Sequence, residues 1–292
     1  MSKLKAVPPK AAAPSRPKIL IYGKPGVGKT WAALDFPSVY YIDTEGGADL
    51  GHYVAKLEAS GGVYLGPEQG SQSLDTIIEQ VKALATEKHD YRTLVIDSIS
   101  KAFQVEIAQE AERLGDKDQY GASKKPAVSK MRQLVVWLGK LDMNAILIAH
   151  AKDEYGLDNK GNREVIGETF DAWDKLEYEL HLCLNIIKAG PKRVARVRKS
   201  RLLGFPDADT MPWSYDEFAK RFGRELLEAS AKSIEIASPE QVAEVNRLLE
   251  IVKLPDGQID KWLAAAGVTD WAEMEADKIT KAIAAIKSKI AA

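Results

Sequence analysis

Cross-linking chemistry is nearly absent from this sequence. A single cysteine, Cys183, stands among 292 residues, so no internal disulfide can form and no cysteine cluster can hold zinc. There is no excess charge of either sign. The formal net charge is −1, and no global field draws the chain to nucleic acid or to an anionic membrane. Binding to either must rest on local basic clusters. Long apolar runs are missing as well, and no charged-then-apolar leader opens the chain. Together these absences predict a protein of the reducing cytoplasm with no membrane partner. No internal repeat is evident.

What is present is ordinary globular material. With 45% hydrophobic and 28% charged residues, a chain of this length can bury a sizeable domain and a smaller one. Residues 1–17, MSKLKAVPPKAAAPSRP, lack apolar periodicity and read as a disordered, mildly basic tail. From Lys18 to about residue 229, short apolar runs alternate with helical spacing. KILIYG (18–23), SVYYID (38–43), YRTLVIDS (91–98), NAILIAH (144–150) and ELHLCLNIIK (179–188) read as buried strands. WAALDF, SLDTIIEQVKALATEK and AVSKMRQLVVWLGKL read as helices between them. This alternation predicts an α/β fold with a mostly parallel central sheet flanked by helices. Strands near 192–200 and 211–215 are expected as an antiparallel extension. Residues 230–237 read as a linker. Ser238, Pro239 and Gln241 then form a helix start, opening a small C-terminal helical domain over 238–292.

The sharpest motif is GKPGVGKT, in which Gly23, Gly28, Lys29 and Thr30 match G-x-x-x-x-G-K-[ST] between a predicted strand and a predicted helix. Such a loop turns backbone N–H groups inward around phosphates. Residues Gly23, Lys24, Pro25, Gly26, Val27, Gly28, Lys29, Thr30 and Trp31 are therefore the expected nucleotide-binding set. Lys29 is expected to reach the outer phosphates, and the Thr30 hydroxyl to bind Mg²⁺. Asp97, closing the run TLVID, is the expected second residue on the metal side.

Hydrolysis also needs a carboxylate that orients water. ATPases of the AAA+ type usually place a Glu directly after the metal-side Asp, but here that position is Ser98. Glu45, in YYIDTEGG just past the second core strand, is the available alternative. Asp43, Glu45 and the glycines could equally form a simple polar turn.

The ordered set GKPGVGKT, YIDTEGG, LVIDS and ILIAH resembles the core of RecA-like ATPases. It is most similar to the short phage-encoded ATP-binding proteins of the Sak group, associated with single-strand annealing and recombination. The resemblance covers about residues 17–205. It implies a RecA-like P-loop core over 18–229 with ATP and Mg²⁺ as cofactors, in the host cytoplasm if the protein is phage-encoded. Glu45 matches the family's catalytic carboxylate, and His150 its γ-phosphate sensor at the end of a core strand. A strand-end histidine is otherwise a simple cap. His52 or Tyr53 is the residue expected to stack on adenine.

In RecA-like proteins two mobile loops hold DNA. Here they correspond to LGDKDQYGASKK (114–125) and AKDEYGLDNKGNREVIG (151–167). Tyr120, Lys124 and Lys125 in the first, and Lys152, Tyr155, Lys160 and Arg163 in the second, combine rings with cations, as contact with unpaired bases requires. Long polar loops containing glycine and lysine are also common without any such role. The acid-free stretch KAGPKRVARVRKSR (188–201) reads in two ways. It is a guarded sheet edge, or its Lys199 and Arg201 resemble the paired cations that RecA-like subunits extend into a neighbour's ATP site. The expected function is therefore a Mg-ATP-dependent, single-stranded-DNA-binding recombination ATPase, working as a ring or filament. A single-strand-binding protein or another recombination protein is a further expected partner. A loader or remodeller of a protein partner in DNA replication is the alternative.

Overall fold

A computed structural model describes residues 15–47, 51–157, 160–252 and 254–290. Most of the expected tail, residues 1–14, lies outside the described residues. The end of that expected tail is built into the fold. Arg16 is 5% exposed, and its guanidinium donates to the carbonyls of Ala229 (2.7 Å) and Ser230 (3.0 Å).

Among the described residues nine strands form one sheet: β1 (Lys18–Gly23), β2 (Val39–Asp43), β3 (Val63–Leu65), β4 (Thr93–Asp97), β5 (Asn144–Leu157), β6 (Arg163–Phe170), β7 (Leu182–Ala189), β8 (Lys192–Ser200) and β9 (Thr210–Pro212). The helices are α1 (Lys29–Ala33), α2 (Gly51–Ala59), α3 (Leu74–Thr86), α4 (Ile99–Leu114), α5 (Lys124–Lys140), α6 (Leu176–Glu179), α7 (Tyr215–Phe222), α8 (Arg224–Glu228), α9 (Pro239–Ile251), α10 (Gln258–Ala266) and α11 (Ala276–Ile290). The strand order is β3-β2-β4-β5-β1-β7-β8-β9. From β3 to β7 all neighbours are parallel, whereas β8 and β9 are antiparallel, as the sequence predicted.

Every residue of β1 is buried, because helices cover both faces of the sheet. Side chains alternate between two cores. Leu20, Tyr22, Leu94 and Leu147 face α3 and α5, with Ile77, Val81, Leu134 and Trp137. Ile19, Ile21, Val95 and Ile146 face the other way, toward Ala32, Leu57 and Phe218. The C-terminal helices belong to the first of these cores through Val245, Trp271 and Ile279. The extended segment before them is pinned: Ile234 N–H donates to Ala85 (2.8 Å) and Ala237 N–H to Met274 (2.8 Å). Ser238 and Gln241 form the reciprocal capping box that opens α9.

Two strands escaped the sequence reading. β3 is only three residues long. β6 lies where a mobile loop was expected, because residues 151–157 continue β5 past His150 and pair antiparallel with 163–170. The expected loop is therefore a hairpin arm on the sheet. Its glycines and charges hid it, since a two-stranded arm outside the core buries few of its apolar side chains and so lacks the regular alternation of a core strand.

Candidate nucleotide site

The parallel strands bring their C-terminal ends to one edge. Gly23 lies opposite His150, and Asp43 opposite Asp97. At that edge a cleft of about 570 Å³ is lined by loop residues Gly23, Pro25, Gly26, Lys29 and Thr30 together with Tyr41, Glu45, Asp97 and His150. This is the size expected for a small-ligand site. Gly23 has a steric reason to be glycine, since a Cβ there would run into the carbonyl oxygen of Ile186 on β7. Gly28 takes the left-handed conformation (φ 82°) that turns the loop into α1. Lys29 curls back, its Nζ donating to the carbonyls of Gly23 (2.8 Å) and Lys24 (3.1 Å). Burial lowers its pKa, opposed by the charges of Asp97 and Glu45. Lys24 points away to pair with Glu168 at 2.9 Å.

The expected metal pair meets. Thr30 Oγ1 donates to Asp97 Oδ2 at 2.5 Å, and Tyr41 Oη donates to the same oxygen at 3.4 Å. Desolvation at the cleft floor pushes Asp97 up to about 6, with Thr30 opposing. No cluster of three or more metal-ligating side chains occurs among the described residues. A carboxylate and a hydroxyl beside a phosphate loop nevertheless fit Mg²⁺, which takes hard oxygen ligands, keeps several waters and completes its shell with phosphates. Thr30 and Asp97 would hold it, and when bound it would neutralise phosphate charge.

Glu45 is not left in a loose turn. Its N–H and that of Gly46 donate to Asp43 Oδ1 at 2.9 and 3.0 Å, closing a tight loop. Thr44 N–H donates to the Asp97 carbonyl (2.7 Å), while Ser98 N–H donates to Thr44 Oγ1 (2.9 Å). Ser71 Oγ donates to the Asp43 carbonyl. Thus held, the Glu45 carboxylate accepts from Ser98 Oγ at 2.6 Å and from His150 Nε2 at 2.5 Å. Chiefly the His150 hydrogen bond, then Ser98, holds Glu45 down at about 2. The same bond raises His150. Ser100 Oγ accepts from the His150 backbone N–H at 2.9 Å and fixes its strand end. Ser98 stands where AAA+ ATPases carry a glutamate and cannot act as the base, but its hydroxyl meets both Glu45 and His150 and ties these two side chains together. Its place directly after Asp97 marks its position but not its partners, which come from the β2–β4–β5 strand order.

A model of a family described as AAA domain matches residues 15–203, well over half the chain. The chain belongs to this AAA-domain family. The matched segment ends just past β8 and leaves the C-terminal helices outside. Unlike the usual AAA+ arrangement, the residue after Asp97 is serine, and the carboxylate in the cleft comes from Glu45 on the neighbouring strand end. Among solved structures, the RadB recombinase is similar with a TM-score of 0.45 and 17% identity, over 67% of this chain and 86% of that one. No curated protein matches the chain. No helix among the described residues is long and apolar enough to cross a membrane.

The remaining expected residues fall into three groups. Trp31 is 41% exposed and meets His52 (6.0 Å) and Tyr53 (6.2 Å) in an aromatic cluster beside the loop. Lys199 and Arg201 sit at the far end of β8, where they donate to the carbonyls of Leu180 and Tyr178. Six strand residues, roughly 20 Å, separate Lys199 from the phosphate end of that strand. Within its own chain this pair is not at the site. Arg193 is there instead, lining a second cleft with Gly28 and Trp31.

The expected DNA residues converge only in part. Lys124 and Lys152 both approach Asp174, at 3.4 and 3.7 Å, so the two segments share one surface. Tyr120 is fully exposed in its loop. Tyr155 lies on the hairpin with the Arg163 guanidinium 3.9 Å over its ring. Lys125 and Lys160 are exposed.

The Glu45–His150 contact sets a pH window. His150 is raised above 6.5, so its contribution to stability is complete below the ordinary value and is lost as pH rises through the raised one. Glu45, held at about 2 against an ordinary 4.5, contributes above pH 4.5 and loses that contribution as pH falls toward 2. The pair is therefore fully in force between these limits. Glu45→Gln should move the His150 midpoint downward in an NMR titration of its ring protons. An unmoved midpoint would show that the two side chains do not form the pair in solution.

Proposed function

We propose that this AAA-domain protein is a Mg-ATP-dependent, single-stranded-DNA-binding ATPase of the recombination and annealing type, similar to the short phage-encoded RecA-like proteins. The observation that carries the reading is the Glu45 carboxylate. It is braced from two strand ends and faces the phosphate loop and the Thr30–Asp97 pair across one cleft. A fixed carboxylate there can orient a water for attack on a terminal phosphate, and nothing in a passive nucleotide switch requires one. Lys29 is the cation for the outer phosphates. His150, on the strand between β1 and β4, links the carboxylate to β5 and so to the hairpin arm.

DNA contact is supported by the shared surface of Lys124 and Lys152, with Tyr120 open to stacking. The strand that carries His150 continues into the hairpin bearing Tyr155 and Arg163, which supports coupling between the nucleotide cleft and this proposed DNA surface. A second reading, action on a protein partner in DNA replication, is favoured by one feature. The hairpin exposes Leu157 (74%), Val165 (55%) and Ile166 (59%), an apolar tip better suited to protein than to phosphate.

The two readings separate on ATP turnover measured with and without single-stranded DNA. We expect stimulation by single strands that weakens as salt rises, and loss of much of it in Tyr120→Ala, since a stacked base is worth roughly 1–3 kcal/mol. An unchanged rate, with no binding to single strands at low salt, favours the protein-remodelling reading instead.

Lys199 and Arg201 lie too far from the phosphate end to serve their own loop, so we assign them to a neighbouring subunit's site. Arg201→Ala and Glu45→Gln should then be poor ATPases separately and recover activity on mixing. At a mixed boundary one chain supplies Glu45 while its neighbour supplies Arg201. A mixed rate no greater than the sum of the two, in subunits shown to co-assemble, removes the trans role.

A further inference from the structure

The geometry points to Arg193 as a nucleotide-gripping residue supplied by the chain's own β8, acting on the nucleoside side of the phosphate loop. Two clefts flank that loop. The one described above holds every carboxylate of the site, including Glu45 and Asp97. The second, of about 230 Å³, is lined by Gly26, Gly28, Thr30, Trp31, Tyr53 and Arg193, with no carboxylate. A phosphate chain anchored on Lys29 and Thr30 has its terminal group beside Glu45. Its nucleoside end must then leave on the other side, among the two aromatic rings and Arg193.

The placement of Arg193 is a product of register. β8 runs antiparallel to β7, with Arg193 opposite Lys188, beyond the point where β7 passes Gly23. Its carbonyl accepts from Trp213 N–H at 3.0 Å, so β9 holds its backbone. The side chain then folds over the loop so closely that a Cβ on Gly28 would collide with its Nε. Gly28 is required by its positive φ, and the exposed Arg193 guanidinium lies directly against it.

The electrostatics agree with the geometry. Arg198, five residues on, is spent on Glu154 at 2.6 Å and Glu177 at 3.3 Å. Among the described residues, no hydrogen bond or ion pair engages the Arg193 side chain. An arginine with free donors, facing an acid-free cleft on a phosphate loop, suits a phosphate oxygen, and it can also stack on a base. Trp31 and Tyr53 offer further flat surfaces there. Arg193 on this side contacts the part of the ligand that ATP and ADP share. Its contribution is therefore to binding of both, unlike a cation that meets the transferred phosphoryl group.

This inference rests on the nucleotide-binding reading, and one experiment separates the two. Dissociation constants for ATP and ADP are measured with fluorescent analogues for the wild-type chain, Lys29→Ala, Arg193→Gln and Arg193→Lys, with circular dichroism to show that each is folded. Arg193→Gln should weaken ATP and ADP by the same factor, about tenfold or more as loss of a charge-assisted contact implies. Arg193→Lys should recover part of the loss. Wild-type affinities retained in Arg193→Gln while Lys29→Ala loses binding would overturn the role of Arg193 alone. A loss confined to ATP would also overturn it, by placing the guanidinium at the terminal phosphate. No nucleotide binding by the wild-type chain would sink the underlying reading instead.

Discussion

The structure depends on the register of parallel strands buried on both faces. Because no strand from β2 to β7 can slip by one residue without turning apolar side chains out of one core and into the other, their C-terminal ends are locked together. That lock puts Gly23 opposite His150 and Asp43 opposite Asp97. The phosphate loop, the metal-side carboxylate and the Glu45–His150 couple are consequences of it, since the loop starts at the end of β1, Asp97 ends β4, Glu45 follows β2 by two residues, and His150 pairs with Gly23. β5 separates β1 from β4, so the loop and Asp97 meet only by reaching across β5, which Thr30 does with one hydrogen bond.

At this edge opposite charges are arranged in sequence. Lys29 stands on the loop, Asp97 lies on the floor, and Glu45 is shared between Ser98 and His150. Burial makes Asp97 reluctant to ionise without a cation, whereas Glu45 is held ionised by its partners. Two carboxylates in one cleft are thus driven in opposite directions, one by burial and the other by its hydrogen-bonding partners. The basic strand β8 is divided as well. Arg193 at its start serves the loop, Arg198 fastens the hairpin arm through Glu154, and Lys199 and Arg201 at its end face away from the loop.

The sequence made the loop, Asp97 and the core strands legible because each carries a strong local signal: a glycine-spaced motif, or a continuous apolar run bounded by turns. Glu45 was legible only through its position after the second strand. Ser98 and Arg193 were not, since their importance comes from which strand lies beside which. Antiparallel pairing of β7 with β8 turns one arginine of a basic run toward the loop, and no local pattern distinguishes it from its neighbours. The hairpin of β5 and β6 was misread as a mobile loop for a related reason. Its pairing satisfies backbone groups without burying an apolar face, so polarity and glycine content pointed the wrong way.

In the proposed reaction Glu45, and not a residue following Asp97, orients the attacking water. That role is tested most directly by phosphate release from Glu45→Gln at saturating Mg-ATP, beside a measurement of its ATP affinity. ATP binding should be retained and turnover reduced on the order of a hundredfold or more. Turnover at the wild-type rate would contradict that role and move the hydrolytic carboxylate elsewhere in the protein.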